Sequence, residues 1–227
     1  MRILVTNDDG PDAPGLAALK TLAGHFGEVF VVAPREPHSG VGHRVTTDCP
    51  LDLAETGPQE FTLTGTPADC VRVAVTSLFR GIDWVLAGIN RGGNLGADIF
   101  MSGTVAAARE AALLGRPGIA LSQYVRRGLP LNWQRSTELA LPVIEQLISE
   151  PRSGRGYWNV NLPHLNRDEG ANVTRCDPDA EPLEVRFRQE GSSFHYAGSY
   201  HARGRTPGRD VDQCFGGSIT VSWLPLS

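Results

Sequence analysis

The fold class of this chain is set by residues 2–34, RILVTNDDGPDAPGLAALKTLAGHFGEVFVVAP. The apolar run at 2–6 predicts a short buried strand. Residues 15–26 carry apolar side chains at helical spacing, and 29–33 form a second apolar strand that ends at Pro34. A strand, a helix and a strand within about thirty residues are typical of a right-handed crossover between parallel strands.

The same alternation continues through the first 163 residues. Further strands are predicted at 61–64, 84–89, 119–122 and 158–162, and helices at 66–79, 102–114 and 137–148. Strands that alternate with helices indicate an α/β fold. We therefore expect a Rossmann-like, three-layer core with a mainly parallel sheet over residues 1–163.

The pattern changes after Pro163. Residues 184–188 and 218–223 alternate polar and apolar side chains, which predicts exposed antiparallel strands. Residues 164–227 are therefore predicted to be a C-terminal extension and not an independent domain. Unpaired strand edges tend to pair with another chain, so the extension is expected to serve as an oligomerisation arm.

The composition narrows the class of partner. The chain has 21 basic and 25 acidic residues, a net charge of -4, and Lys20 is its single lysine. This balance argues against a nucleic acid polymer as partner, but a helix N-terminus or a metal can still bind a small anion. The four cysteines form no Cys-x-x-Cys motif, and we find neither a signal peptide nor an apolar run of about 18 residues. We expect a cytoplasmic protein with no membrane partner.

Candidate functional residues follow the predicted strands or begin a helix: Asp8 and Asp9, Ser39, Asn90, and the Ser102-Gly103-Thr104 segment. The carboxyl ends of parallel strands share one edge of the sheet, where ligands bind, so these segments are expected to converge. Carboxylate, hydroxyl and amide oxygens suit one divalent cation, Mg²⁺ or Mn²⁺. Backbone N–H groups at the start of a helix bind phosphate. The expected site is that of a phosphate-ester hydrolase.

Each of these residues also has a structural interpretation. Adjacent aspartates before a glycine often form a turn, and Ser102 is a suitable helix cap. Thr66 and Asp69 are interpreted as a cap and its first-turn acid. It is the convergence of separate segments, and not any single motif, that favours a functional site.

The motifs resemble those of the SurE family, the stationary-phase survival proteins. The resemblance rests on short blocks that follow one another in order, at residues 1–10, 13–15, 32–34, 39–40, 64–71, 88–96, 100, 102–108 and 159–163. It implies a metal-dependent nucleotidase that releases phosphate from nucleoside 5′-monophosphates, with 3′-monophosphates and short polyphosphate as further substrates. It also implies an α/β fold whose C-terminal extension exchanges between subunits of a homodimer or homotetramer.

The resemblance also assigns roles by position. Asp8, Asp9, Ser39 and Asn90 match the family's metal ligands, with Asp8 and Asp9 as catalytic residues. Asn94, Ser102, Gly103 and Thr104 match its phosphate contacts. The loop Gly42-His43-Arg44 and the residues after 209 depart from the usual family pattern, which leaves substrate preference and oligomeric state less defined than the reaction.

Two alternatives from other classes stay open at this stage. A metal-dependent nucleotide-sugar transferase would share the fold and the cation, but 227 residues leave no room for a separate acceptor domain. A non-catalytic nucleotide-binding module would need no paired carboxylates. Within the hydrolase hypothesis, metal-activated water is the expected nucleophile, and direct attack by Asp8 is the alternative.

Overall fold

The computed structural model describes residues 1–150, 154–166 and 169–226. Its main feature is a nine-stranded sheet in the order β3-β4-β2-β1-β5-β6-β7-β11-β8, with a separate hairpin of β9 and β10. Strands β4, β2, β1, β5, β6 and β7 are parallel, whereas β3 and β11 run antiparallel to their neighbours β4 and β7. The expected α/β class with a mainly parallel sheet is confirmed.

The strands are β1 Arg2–Thr6, β2 Glu28–Pro34, β3 Leu53–Gly57, β4 Glu60–Leu63, β5 Trp84–Arg91, β6 Gly118–Gln123, β7 Gly156–Leu162, β8 Val173–Arg175, β9 Phe187–Glu190, β10 Ser193–Tyr196 and β11 Ile219–Pro225. The helices are α1 Pro14–Gly24, α2 Pro67–Val73, α3 Asp98–Met101, α4 Gly103–Leu113, α5 Trp133–Ser149 and α6 Asp210–Phe215. A π-helical turn, Ala74–Leu78, continues α2, and a 3₁₀ turn spans Tyr200–Ala202. Among the described helices, none combines the length and the apolar character needed to cross a membrane.

Helices cover both faces of the sheet. On one face α1 and α5 bury an apolar cluster with the side chains of alternate strand positions, including Ile3, Val5 and Leu86. On the other face α2 and α4 cover Leu4 and Val85. Because each central strand contributes apolar side chains to both faces, the strands are continuous apolar runs, as is typical of a buried parallel sheet.

The direction of chain winding reverses at β1. The chain leaves β1 toward β2 and β4 on one side, and it then crosses to β5 on the other side. The connections that leave β1 and β5 therefore run in opposite directions. This arrangement opens a crevice between them at the carboxyl ends of the two strands. Asp8 and Asp9 follow β1, and Asn90 lies near the end of β5, so the fold places these residues at the reversal.

Local capping explains where two helices begin. The Thr66 hydroxyl accepts the amide of Asp69, whose carboxylate accepts the Thr66 amide, which confirms the cap predicted for α2. Helix α5 begins at Trp133, four residues before the predicted start, because the Asn132 side chain accepts the Arg135 amide.

The prediction of exposed strands in the extension is wrong for its last strand. Strand β11 is buried at Ile219–Ser222 and lies inside the sheet, between β7 and β8. Its small and polar side chains, such as Thr220 and Ser222, face the equally polar positions Asn161 and Asn159 of β7, so alternation here reflects a polar interior and not a solvent face. The hairpin β9–β10 is the exposed part.

Helix α1 packs closely against the end of β5. A Cβ atom at Gly15 would lie 2.0 Å from the Ile89 carbonyl oxygen and 3.1 Å from the Trp133 ring. The pairing of β5 with β6 also shifts in register between Ala87 and Asn90, and such irregularities redirect the side chains at the end of a strand. Gly15 thus allows α1 to support the segment that carries Asn90.

Replacement of Gly15 by alanine is expected to destabilise the protein by about 1–3 kcal/mol or more, because the added methyl group overlaps a backbone oxygen. Gly24→Ala in the same helix is the matched control, since nothing lies within 4 Å of a Cβ there. That control should be stabilising by about 0.5–1 kcal/mol. Urea unfolding of both variants measures the difference, and equal stabilities would contradict the proposed packing constraint.

Candidate functional site

Asp8 anchors the site because it joins the end of β1 to the start of α4. Its Oδ1 accepts a hydrogen bond from the Thr104 hydroxyl at 2.6 Å, and its Oδ2 accepts one from the Thr104 amide at 3.2 Å. Gly103 allows this approach, since a Cβ there would lie 3.0 Å from the Asp8 Cβ and 3.1 Å from Pro67. The geometry gives Thr104 a role in orienting Asp8 that the sequence did not indicate.

The Asp8 carboxylate is buried beside a second acid. Only 6% of Asp8 is exposed, and burial raises its pKa to about 6. The Thr104 hydroxyl lowers this pKa, whereas the negative charge of Asp9 raises it. Neither aspartate forms an ion pair with any arginine, lysine or histidine in the described part of the chain. The site therefore holds negative charge that no neighbouring side chain neutralises.

Asp9 and Asn90 meet across the reversal between β1 and β5. The Arg91 amide donates to Asp9 Oδ2 at 3.4 Å, which brings the half-exposed Asp9 to the end of β5. The Asn90 side chain donates its Nδ2 to the Gly92 carbonyl at 2.9 Å. This bond fixes the amide within its own loop, and the Asn90 Oδ1 is left without a hydrogen bond among the described residues.

Ser39 reaches the site through the backbone of its loop. The His38 amide donates to the Asp8 carbonyl at 2.8 Å, so the exposed Ser39 lies next to the end of β1. The same loop is held further along, where the His43 ring pairs with Glu110 of α4 at 2.7 Å. Glu110 is 3% exposed and also accepts from Arg72, so His43 is a structural contact of this loop and not a solvated side chain.

Ser102 caps α4, since its hydroxyl accepts the Val105 amide at 3.1 Å. The Thr104 amide is taken by Asp8. Of the first three amides of α4, only that of Gly103 lacks an acceptor among the described residues. The helix N-terminus thus retains a donor beside Asp8, where the helix dipole favours an anion.

Asn94 lies at the centre of a buried polar network. Its amide donates to Asn161 Oδ1 at 2.7 Å, and its carbonyl accepts from Asn159 Nδ2 at 2.8 Å. Its side chain contacts the Ser122 hydroxyl at 2.7 Å. Because a hydroxyl can donate or accept, Ser122 can pair with either the nitrogen or the oxygen of the Asn94 side-chain amide. The other of these two atoms then points away from Ser122. Asn159 and Asn161 of β7 therefore hold residues 92–97 between β5 and α3, which we call the glycine-rich loop.

The C-terminal extension contacts the same loop. The Tyr200 hydroxyl donates to the Gly93 carbonyl at 3.0 Å, and the Asp210 carboxylate accepts the Gly96 amide at 2.8 Å. Arg203 forms an ion pair with Asp98 at 2.5 Å, with side chains only 7% and 17% exposed. These contacts join residues more than 100 positions apart, and no local sequence motif indicated them.

A divalent cation fits this donor set. Asp8, Asp9, Ser39 and Asn90 offer carboxylate, hydroxyl and amide oxygens at one edge of the sheet, and their negative charge is not neutralised by neighbouring side chains. The structure brings the segments that carry these four residues together. Direct contacts between the side chains of Ser39 or Asn90 and the two aspartates are not present among the described residues, so the assignment of all four as ligands stays a prediction.

Comparisons with known proteins identify relatives over the full chain. The model of the Survival protein SurE family matches residues 3–180. A protein of Nostoc sp. is 45% identical over 226 residues, 99% of each chain. The 5′-nucleotidase SurE of Paramagnetospirillum magneticum is 37% identical over 232 residues, covering 99% of this chain and 89% of its own. The crystal structure of the SurE protein from Aquifex aeolicus superimposes with a TM-score of 0.87 at 32% identity, over 100% of this chain and 94% of the other.

The buried pair of Arg203 and Asp98 is expected to stabilise the site loop strongly. Arg203→Met should cost about 3–5 kcal/mol of unfolding free energy, because it leaves the Asp98 carboxylate buried without its partner. Arg186→Met is the matched control, since the Arg186–Glu184 pair is mostly exposed and should change stability little. Denaturant unfolding of the two variants tests this, and similar losses in both would show that the extension is not held by the Arg203–Asp98 pair.

Proposed function

Because this chain belongs to the SurE family, we propose that it is a 5′-nucleotidase, a metal-dependent phosphomonoester hydrolase that releases inorganic phosphate from nucleoside 5′-monophosphates, and also from 3′-monophosphates. The observation that carries the proposal is Asp8. The buried Asp8 carboxylate lies beside Asp9, and two carboxylates can hold a cation. It also lies at the N-terminus of α4, whose N–H groups can hold an anion, so the two sites are adjacent.

In this proposal Asp8, Asp9, Ser39 and Asn90 hold one Mg²⁺ or Mn²⁺ ion. Thr104 fixes both oxygens of Asp8, and the Arg91 amide holds Asp9, so the two carboxylates are positioned before the ion binds. When bound, the cation polarises the phosphoryl oxygens and lowers the pKa of a water molecule.

The substrate phosphate binds at the start of α4. The Gly103 amide is the donor that the protein leaves unused there, and the Ser102 hydroxyl and the Asn94 side chain are the further expected contacts. Both donors of Thr104, the fourth residue expected at the phosphate, are engaged by Asp8, so in this proposal Thr104 acts through Asp8. A helix N-terminus carries about half a positive charge. It can therefore hold a dianionic ester in a protein of net charge -4.

Water is the proposed nucleophile. Both oxygens of Asp8 already accept hydrogen bonds from Thr104, which disfavours a direct attack by Asp8 on phosphorus. In the proposed step the water oxygen forms the new bond to phosphorus as the ester P–O bond breaks. One proton of that water ends on the nucleoside oxygen, so the products are the nucleoside and inorganic phosphate.

The hairpin β9–β10 supports a homodimer or homotetramer. Phe187, Phe194 and Tyr196 are each more than half exposed on this hairpin, and monomers rarely present a projecting apolar surface of this kind. All four cysteines are free thiols, which supports a location in the reducing cytoplasm.

The reaction should depend on a divalent cation. Phosphate release from 5′-AMP should vanish with a chelator and return with Mg²⁺ or Mn²⁺. Asp9→Asn keeps the shape of the side chain but should lower kcat by about 100-fold, equivalent to about 2.7 kcal/mol. Asp12→Asn, an exposed aspartate in the same loop, is the control and should retain activity. Full turnover after exhaustive removal of divalent ions would refute the proposal.

Thr104 should matter through Asp8. Thr104→Val preserves volume but removes the hydroxyl that Asp8 accepts, so kcat should fall about tenfold or more. Thr104→Ser retains the hydroxyl and should stay within a few-fold of the parent protein. Steady-state kinetics at saturating Mn²⁺, with melting curves to confirm folding, separate the two variants. An unimpaired Thr104→Val enzyme would be incompatible with this role.

The hairpin should mediate association. Multi-angle light scattering at micromolar concentration should give a dimer or tetramer, and the double variant Phe194→Ser, Tyr196→Ser should shift it toward the monomer. Leu113→Ser, at an exposed position on α4, is the control. A monomeric parent protein would contradict the oligomeric assignment.

A further inference from the structure

The loop that carries Ser39 joins β2 to β3, and it is not held by Ser39 itself. Ser39 is exposed, and its side chain makes no hydrogen bond within the described part of the chain. Two nearby glycines have positive φ, Gly40 at 70° and Gly42 at 62°, a conformation that other residues rarely adopt. The position of Ser39 therefore depends on the contacts that its neighbours make with other elements.

Two backbone hydrogen bonds hold the ends of this stretch. The His38 amide donates to the Asp8 carbonyl at 2.8 Å, and the Gly42 amide donates to the Met101 carbonyl at 2.9 Å. The first bond joins the loop to the end of β1, and the second joins it to the end of α3, next to the start of α4. Ser39 thus lies between two anchor points at the carboxyl edge of the sheet.

The His43 side chain fixes the loop to α4 itself. Its Nε2 lies 2.7 Å from Oε2 of Glu110, and its Nδ1 lies 3.4 Å from Nη1 of Arg109. A guanidinium can only donate, so Nδ1 is the acceptor and Nε2 carries the proton that is donated to Glu110. Both ring nitrogens are engaged in this way, so His43 has neither one free to contact a substrate.

Glu110 is a firmly held partner for the loop. Its side chain is only 4% exposed, and its other oxygen accepts from Arg72 Nε at 2.8 Å. Glu110 lies on α4 six positions after Thr104, or about 9 Å along the helix axis. The same helix therefore orients Asp8 through Thr104 and the loop of Ser39 through Glu110.

The role of Ser39 in the proposed cation site makes this contact important. Ser39 offers a neutral hydroxyl, whose attraction for a cation falls off with distance faster than that of a carboxylate. Its contribution to binding therefore depends on how precisely the loop is held. Groups that orient the ligands of a metal are typically worth about 10–100-fold in its affinity. The contact of His43 with Glu110, four positions after Ser39, can supply this orientation.

We propose that His43 is a positioning residue of the cation site. Its bond to Glu110 fixes the loop that carries Ser39, and it thereby sets the affinity of the site for the divalent cation. The inference rests on the proposed nucleotidase function, in which Ser39 is one of four ligands. His43 itself contacts neither the cation nor the substrate and acts through Ser39.

Binding of Mn²⁺ without substrate tests the proposal, with free Mn²⁺ measured by its electron paramagnetic resonance signal. His43→Leu, which is similar in size but has no polar atoms, should raise the Kd for Mn²⁺ about tenfold. His43→Gln can still place an amide N–H near Glu110 and should restore a Kd close to that of the parent protein. His43→Ser should act like His43→Leu, and it guards against a folding defect caused by the leucine.

Arg72→Met is the matched control. It removes the other hydrogen bond of Glu110 and should lower the melting temperature, because one oxygen of a buried carboxylate loses its partner. It does not touch the loop of Ser39, so its Kd for Mn²⁺ should stay close to the parent value. An equal loss of Mn²⁺ affinity in Arg72→Met and His43→Leu would mean that Glu110 only stabilises the fold, and it would overturn the proposal.

A double-mutant cycle tests whether His43 acts through Ser39. His43→Leu should weaken Mn²⁺ binding in the parent protein but should have almost no further effect in a Ser39→Ala background, because residues that act through one contact are not additive. Additive losses of Mn²⁺ affinity would contradict this route.

Steady-state kinetics separate positioning from direct substrate contact. His43→Leu should need more Mn²⁺ for half-maximal hydrolysis of 5′-AMP, while KM for 5′-AMP at saturating Mn²⁺ keeps its parent value. A raised KM at saturating Mn²⁺, or a Kd for Mn²⁺ that neither His43→Leu nor His43→Ser changes, would overturn the proposal. A parent protein that binds Mn²⁺ but releases no phosphate from 5′-AMP would refute the nucleotidase function, and the Mn²⁺ affinities would still decide the role of His43.

Discussion

A buried carboxylate without a cationic partner is the constraint on which the carboxyl edge of this sheet depends. Asp8 is 6% exposed, and Thr104 satisfies both of its oxygens. This arrangement requires α4 to begin against the end of β1, which in turn requires Gly103 at the contact. Hydrogen bonds reduce the cost of burying the charge but do not neutralise it, which supports the cation proposed for this edge.

The C-terminal extension contacts the candidate functional site, in addition to its proposed role in oligomerisation. Tyr200, Arg203 and Asp210 of the extension hydrogen-bond to the glycine-rich loop, and so do Asn159 and Asn161 of β7. The exposed hairpin β9–β10 directly precedes the residues of the extension that make these contacts. The proposed association through the hairpin and the contacts that hold the loop thus belong to one segment.

Sequence reasoning recovered what depends on local pattern. Strands β1 and β5, the Ser102 cap and the capping box of Thr66 and Asp69 follow from short runs of residues, because hydrophobic periodicity and capping chemistry act over a few positions. The convergence of the Asp8, Ser39, Asn90 and Ser102 segments followed from one topological rule. The Thr104–Asp8 and Arg203–Asp98 bonds could not be foreseen, since tertiary packing alone joins residues 96 and 105 positions apart. The burial of β11 was missed because its polar alternation also fits a solvent-exposed strand.

The place of β11 in the sheet bears on how the chain is synthesised. Strand β7 ends at Leu162, but its neighbour in the sheet is Ile219–Pro225, which leaves the ribosome more than fifty residues later. During that interval the nascent chain presents the open edge of a largely completed parallel sheet, and such edges readily pair with other chains. A chaperone that covers β7 until the last strand arrives would therefore raise the yield of folded protein, and premature termination near residue 215 would produce an aggregation-prone fragment.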